Sequence, residues 1–212
     1  MSQAIQASLE DTAHARILTA ALDCILDRGF YRASSNEIAR QAGMTWGAIQ
    51  YHFGTREKLM LAALEVFDRE FETMLRAADV SAGGAAARLA QLAGLLARQY
   101  ARPQYLAALQ IVLNLSHNPQ TSAETAKALE SFDHRLSQRL RDLINTAIGP
   151  SADQGTVSLV FHAFRGLAVS HLINAETSPR VLASTRHVSQ LQDDAHQLAV
   201  ALAGLLDTST NG

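Results

Sequence analysis

The sequence predicts an all-α protein, and three observations carry that expectation. Apolar residues recur at steps of three and four along most of the chain, no stretch alternates as a strand would, and the four prolines (103, 119, 150 and 179) fall where the pattern changes. With 212 residues, 48% of them hydrophobic and 18% charged, the chain can bury a real core and lies far from the composition of disorder. About nine helices are expected.

Ile17, Ala21, Cys24 and Ile25 mark the inner face of a first helix that follows a short N-terminal tail and ends near Gly29. Ser34-Ser-Asn-Glu37 has the form of a capping box. The Ser34 hydroxyl is placed to accept from the Glu37 N–H while the Glu37 side chain reaches back, so a second helix starts at Ser35 with Ile38, Ala39 and Ala42 inward. Gly43 supplies a left-handed corner, and Thr45 caps a short third helix, Trp46 to Phe53. Thr55 caps a long fourth helix carrying Leu59, Ala63, Val66, Phe67, Phe71 and Met74 on one side, which breaks at Val80-Ser-Ala-Gly-Gly84. Further helices are expected over 85–101, 104–117, 121–147, 154–175 and 184–206.

A formal net charge of −2 argues against coating nucleic acid by bulk electrostatics. Between residues 28 and 58, however, five basic residues (Arg28, Arg32, Arg40, Arg56, Lys58) stand against two acidic ones (Glu37, Glu57), a local excess that suits a small DNA-contacting module. Two short helices joined by a glycine turn form a helix-turn-helix, whose second helix enters the major groove. Gly47 would let backbone approach DNA, Gln50 has the amide for a bidentate contact with adenine, and Trp46 suits a thymine methyl. Thr45, Tyr51 and His52 offer donors to phosphate, as do Arg56 and Lys58 at the start of the fourth helix. Ser34 and Asn36 at the start of the second helix complete the expected contact set.

These residues run as one block: Arg16-Ile-Leu-Thr-Ala-Ala, Arg28-Gly-Phe, Glu37-Ile-Ala, Ala42-Gly-Met-Thr, Gly47-Ala-Ile-Gln-Tyr-His-Phe-Gly54 and Arg56-Glu-Lys-Leu59. In order and spacing the block resembles the tetracycline-repressor (TetR) family of transcriptional regulators over about 50 residues. Trp46 stands where that family often has lysine and Gln50 where it often has tyrosine, departures that bear on the operator read and not on the fold. Past about residue 75 the likeness is one of helix number and length. The resemblance implies a homodimer that binds a palindromic operator in double-stranded DNA, most often as a repressor, and is released by a small-molecule effector. The expected division is a helix-turn-helix domain over 1–54, a connecting helix over 55–78, and a larger ligand-binding and dimerisation domain over 79–212.

The residues support a dimer independently. Val188, Leu191, Ala195, Leu198, Leu202 and Leu205 form a heptad seam in the last helix, and Ala163, Gly166 and Ser170 are small enough for close helix approach in the preceding one. For the sensor, Gln110, Asn114 and His117 fall on one stripe of an apolar helix expected to be central. They line either a pocket or the solvent edge. Arg165 is the lone charge in an apolar run expected to be buried, so an anion must face it, a protein carboxylate or an acidic group of a ligand. Tyr100, Tyr105, Phe132, Phe161 and His162 are candidate aromatic walls, or plain core.

Other classes find little support. The histidine pairs 162/171 and 187/196 are nine residues apart and point to opposite helix faces, so no metal site or other cofactor is expected. No phosphate loop, activated nucleophile or carboxylate pair suggests an enzyme. The apolar run 155–175 carries Arg165 and two histidines, so it is read as a buried helix and no membrane span is expected. Residues 1–15 lack the basic start and apolar run of a secretory signal, and the single Cys24, on an apolar helix face, suits a buried thiol in a reducing cytoplasm. The alternatives to a ligand-responsive regulator are a regulator or structural DNA-binding protein without a ligand, and an all-α enzyme or interaction module.

Overall fold

The computed structural model describes residues 2–149, 153–174 and 185–210. Among them are nine α-helices and no strand: α1 (Ser2–Arg28), α2 (Ser35–Ala42), α3 (Trp46–Phe53), α4 (Arg56–Ala77), α5 (Ala85–Tyr100), α6 (Pro103–His117), α7 (Ala123–Ile148), α8 (Gln154–Asn174) and α9 (Thr185–Thr210). The expected all-α class holds, and the boundaries agree to within a few residues except at the start. The expected N-terminal tail is helical from Ser2, since the residues before Ile17 include no glycine or proline to stop a helix. Pro150 and Pro179 lie outside the described residues.

Two compact units divide the chain, and they interleave along it. The first comprises Met1–Glu70 with Gln104–Phe132, the second Phe71–Pro103 with Asp133–Gly212, so α4 and α7 each contribute to both. In the first unit Ile17, Ala21, Cys24 and Ile25 of α1, Ile38, Ala39 and Ala42 of α2, Ile49 and Phe53 of α3, and Leu59, Met60 and Ala63 of α4 are buried, and α2 packs against both α1 and α3. The Cys24 thiol is fully buried, and burial raises its pKa.

The second unit is organised around α5, which packs against α9 and α8. Leu89, Leu92, Ala93, Leu95, Leu96, Ala97, Gln99 and Tyr100 are all buried, so α5 is the covered helix of this unit, which the sequence pattern does not single out. α6, expected to be central, leaves Leu113 exposed. The expectation of a buried α8 is also corrected. By length and composition Gln154–Ile173 could cross a membrane, yet only 33% of that stretch is buried within the chain. Val157, Val160, Phe164 and Ala168 face inward while Leu159, Gly166, Ser170 and Ile173 face out.

Candidate nucleic-acid interface

The α2–α3 corner is built by its caps. Ser34 Oγ accepts from the Glu37 N–H at 3.3 Å, and Thr45 Oγ1 accepts from the Ala48 N–H at 3.2 Å. Between them Gly43 adopts φ +64°, and its N–H bonds back to α2. From α1 the Arg16 guanidinium donates to Ala42 O at 2.6 Å, fixing the corner against the first helix. Only half of the expected capping box forms. Ser34 N–H turns to Arg32 O, and the Glu37 carboxylate instead takes Arg40 at 2.6 Å and Arg28 at 2.8 Å. The hydrogen bonds from Arg40, with Arg28 alongside, hold the Glu37 carboxyl below its ordinary pKa. Two of the five cations that made the segment basic are thereby tied up inside it.

α3 is pinned from below by buried Ile49 and Phe53, which leaves Trp46, Gly47, Gln50 and Tyr51 on its outer face. Trp46 is 51% exposed and Tyr51 74%, large apolar surfaces left open to solvent. A methyl at Gly47 would make only ordinary contact, 3.7 Å from Thr45 Oγ1, so the protein's own packing does not demand a glycine there. Ser34, Asn36 and Thr45 are exposed beside this face. His52 is half-buried, its ring edge-on to Tyr51 and to His14 of α1, so it belongs partly to packing.

Arg56 is the main departure. Its guanidinium donates to Phe30 O and Ala33 O, and lies 4.2 Å over the Phe30 ring, so the side chain expected at a phosphate instead clamps the α1–α2 turn. Burial lowers its pKa from the ordinary arginine value. Thr55 caps α4 as expected, with Oγ1 accepting from Lys58 N–H at 3.2 Å, and Lys58 itself is exposed with Nζ 3.6 Å from Glu124.

The family model described as bacterial regulatory proteins, tetR family, matches residues 17–63, the stretch that forms this corner. Over this stretch the chain is similar to the tetR family. Curated relatives include the uncharacterized HTH-type transcriptional regulators Rv2912c of Mycobacterium tuberculosis and Mb2936c of Mycobacterium bovis, each 39% identical over 77 residues, which cover 36% of this chain and 39% of the relative. Similar solved structures include the transcriptional regulator FadR from Bacillus subtilis in complex with stearoyl-CoA (TM-score 0.60, 17% identity, 88% of this chain and 97% of that one). Another is the multidrug binding protein EbrR complexed with imidazole (TM-score 0.59, 20% identity, 89% and 93%). At that identity the likeness is one of fold.

The residues expected around a ligand divide between the two units. Tyr105, Gln110, Asn114, His117 and Phe132 belong to the first unit, Tyr100, Phe161, His162 and Arg165 to the second. The polar stripe of α6 is spent on backbone: Gln110 Oε1 accepts from Phe30 N–H at 3.1 Å, Asn114 Nδ2 donates to Gln110 O at 2.8 Å, and His117 Nδ1 lies 2.8 Å from Leu113 O. Tyr100, Phe132 and Phe161 are buried, Tyr105 is half-buried with its ring 6.3 Å from that of Phe67, and His162 is exposed. The expectation of a buried Arg165 is overturned. Its side chain is 47% exposed, on the outer face of α8, and Asp133 stands 4.0 Å away at the surface. A cleft of about 280 Å³ between α7 and α8 is lined by Gln138, Arg141, Asp142, Asn145, Gln154 and Val157, none of them expected.

The heptad seam is corrected too. Leu191, Ala195 and Leu202 are buried within the second unit, on a helix packed against α5, and Val188 and Leu198 are half-buried; only Leu205, 60% exposed, faces out. Apolar periodicity marks a buried face without saying whose partner buries it. On α8 Ala163 is half-buried while Gly166 and Ser170 are exposed, near Leu159 and Ile173, and on α9 Val200 is exposed. His171 Nε2 lies 2.8 Å from Asp194 Oδ2, tying α8 to α9. Sequence reading missed Glu57, whose carboxylate accepts from Ser122 N–H, Ser122 Oγ and Thr125 Oγ1 at the start of α7, because nothing in the local pattern announces a partner 65 residues away.

Proposed function

We propose that this protein is a ligand-responsive transcriptional repressor that binds a palindromic operator as a homodimer and is released by a small-molecule effector. The outer face of α3 carries this reading: Trp46, Gly47, Gln50 and Tyr51 stand exposed on a short helix held rigidly from behind. Gln50 reads a base edge, Trp46 packs on a thymine methyl, and Thr45, Tyr51 and Lys58 meet phosphates. One such helix contacts too few bases for useful specificity, which favours pairing. The exposed apolar residues Leu159 and Ile173 of α8 with Val200 and Leu205 of α9 suit the contact with a second copy, and Gly166 and Ser170 permit close approach. The reader then corresponds to 1–54, the connecting helix to 55–78 and the sensing and dimerising part to 79–212. Such a protein works in the cytoplasm, without catalysis.

The effector half draws support from the fold neighbours, of which FadR is complexed with stearoyl-CoA and EbrR with imidazole. An effector acts by binding more tightly to a dimer whose recognition helices are wrongly spaced, with α4, shared by both units, as the element that tilts. A second reading, a DNA-binding regulator without a ligand, is favoured by the internal use of Gln110 and Asn114. Selection of bound duplexes from a random library at fixed salt tests the core of the proposal. An enriched inverted repeat is expected, and no enrichment refutes it.

A further inference from the structure

Gln99 lies on α5, the most thoroughly covered helix of the second unit, and is only 1% exposed. Its Oε1 accepts from the Arg102 guanidinium at 3.4 Å, while its Nε2 has no hydrogen-bond partner among the described residues. About nine in ten buried polar groups are paired, and an amide nitrogen left without an acceptor in a core calls for a reason. At three and four residues N-terminal to it, Leu95 and Leu96 share its side of the helix, and both are buried, as is Leu92 one turn further on. A leucine or methionine would continue that pattern at lower cost. The amide is therefore a buried polar group in register with aliphatic ones, its Nε2 unmet among the described residues.

We propose that Gln99 is the hydrogen-bond donor of an effector site in the second unit, and that it takes the oxygen of an uncharged, otherwise apolar small molecule such as a ketone, ester or amide. This inference rests on the effector reading above. The chemical class follows from the surroundings. The guanidinium that touches Gln99 donates to the Oε1 end of the amide, which polarises the N–H bonds. The group left to meet a ligand is thus a neutral donor, which satisfies a carbonyl oxygen without the ionic partner that a buried carboxylate requires. The aliphatic neighbours suit the rest of such a molecule.

The test uses the full chain, the variant Gln99→Met, and two probes of matched shape, acetophenone and α-methylstyrene, which differ in a carbonyl oxygen against a methylene. Without probe, Q99M is expected to melt no lower than the wild type and to bind the selected operator equally well. In titrations the wild type should prefer acetophenone by about tenfold, and Q99M should lose that preference. A Q99M that melts lower, a wild type that binds neither probe or both alike, or a preference that survives in Q99M overturns the assignment. A preference for acetophenone with unchanged operator affinity keeps Gln99 as a ligand donor and removes the effector reading. Release of operator by both probes alike keeps the effector reading and removes Gln99 from it.

Discussion

Replacing Arg56 by alanine separates a positioning role from a DNA contact. The substitution removes two charge-assisted hydrogen bonds, to Phe30 O and Ala33 O, and the stacking of the guanidinium 4.2 Å over the Phe30 ring. A hydrogen bond to a charged group contributes about 1.5–3 kcal/mol and a partly exposed cation–π contact about 0.5–1 kcal/mol. Both carbonyls are only part-buried, so water recovers some of the loss, and the burial that lowers the guanidinium pKa shows that the charge is held at some cost. The net expectation is a loss of about 2–3 kcal/mol. Arg56→Lys should recover less than half, because an ammonium cannot reach both carbonyls and lie flat on the ring. Urea unfolding followed by circular dichroism measures the loss. The fluorescence of Trp46, the sole tryptophan, sits in α3 and reports the reader itself. Titrations of selected operator at several salt concentrations complete the assay, with a slope expected to match the wild type. Unchanged stability with a slope reduced by about one would show that Arg56 grips phosphate, and the positioning argument would be wrong.

Gln50→Ala should relax base preference at one position of each half-site at a cost of about 1–3 kcal/mol, read by competition among operator variants, whereas uniform weakening would remove Gln50 from base reading. Glu57 supplies a pH dependence: hydrogen bonds from Ser122 and Thr125 lower its pKa below the ordinary 4.5, so the stability it contributes is complete above that value and is lost as pH falls through the lower folded one. Urea midpoints between roughly pH 5 and pH 3 should therefore fall less steeply in Glu57→Gln than in the wild type. On α9, Val200→Glu should shift the sedimenting species toward monomer with little loss of protomer stability. Leu191→Ala should instead cost about 2–5 kcal/mol of stability through a core cavity.

The contrast between Leu191 and Val200 illustrates what the sequence can and cannot carry. Local features were legible: Ser34, Thr45 and Thr55 cap the helices expected of them, and Gly43 turns the corner. Each depends on a few consecutive residues, and so does the match to the family over 17–63. Most assignments that changed concern partners distant in sequence. Arg56 and the Phe30 carbonyl are 26 residues apart, Gln110 and the Phe30 amide 80, and no periodicity encodes such pairings. Arg165 was misjudged for a related reason, since an apolar run contains an outer face that only tertiary packing identifies. Gln99 leaves a trace in the sequence, a polar residue in register with Leu92, Leu95 and Leu96, but beside Arg98 and Arg102 no local signal distinguishes a buried amide from a surface one.

The backbone of Phe30 is gripped at both ends, its N–H by Gln110 and its carbonyl by Arg56, while Glu57 is held by Ser122 and Thr125. Chimeric repressors are commonly imagined as readers cut after the helix-turn-helix and grafted onto new sensors. In this chain such a cut would remove Arg56 and Gln110, which grip Phe30, along with Glu57 and the side chains that hold it, so a graft that keeps residues 1–54 alone would carry the outer face of α3 on a loosened mount. A transplantable version of this reader has to travel with Arg56, Glu57, Gln110, Ser122 and Thr125, or with host residues that make the same bonds.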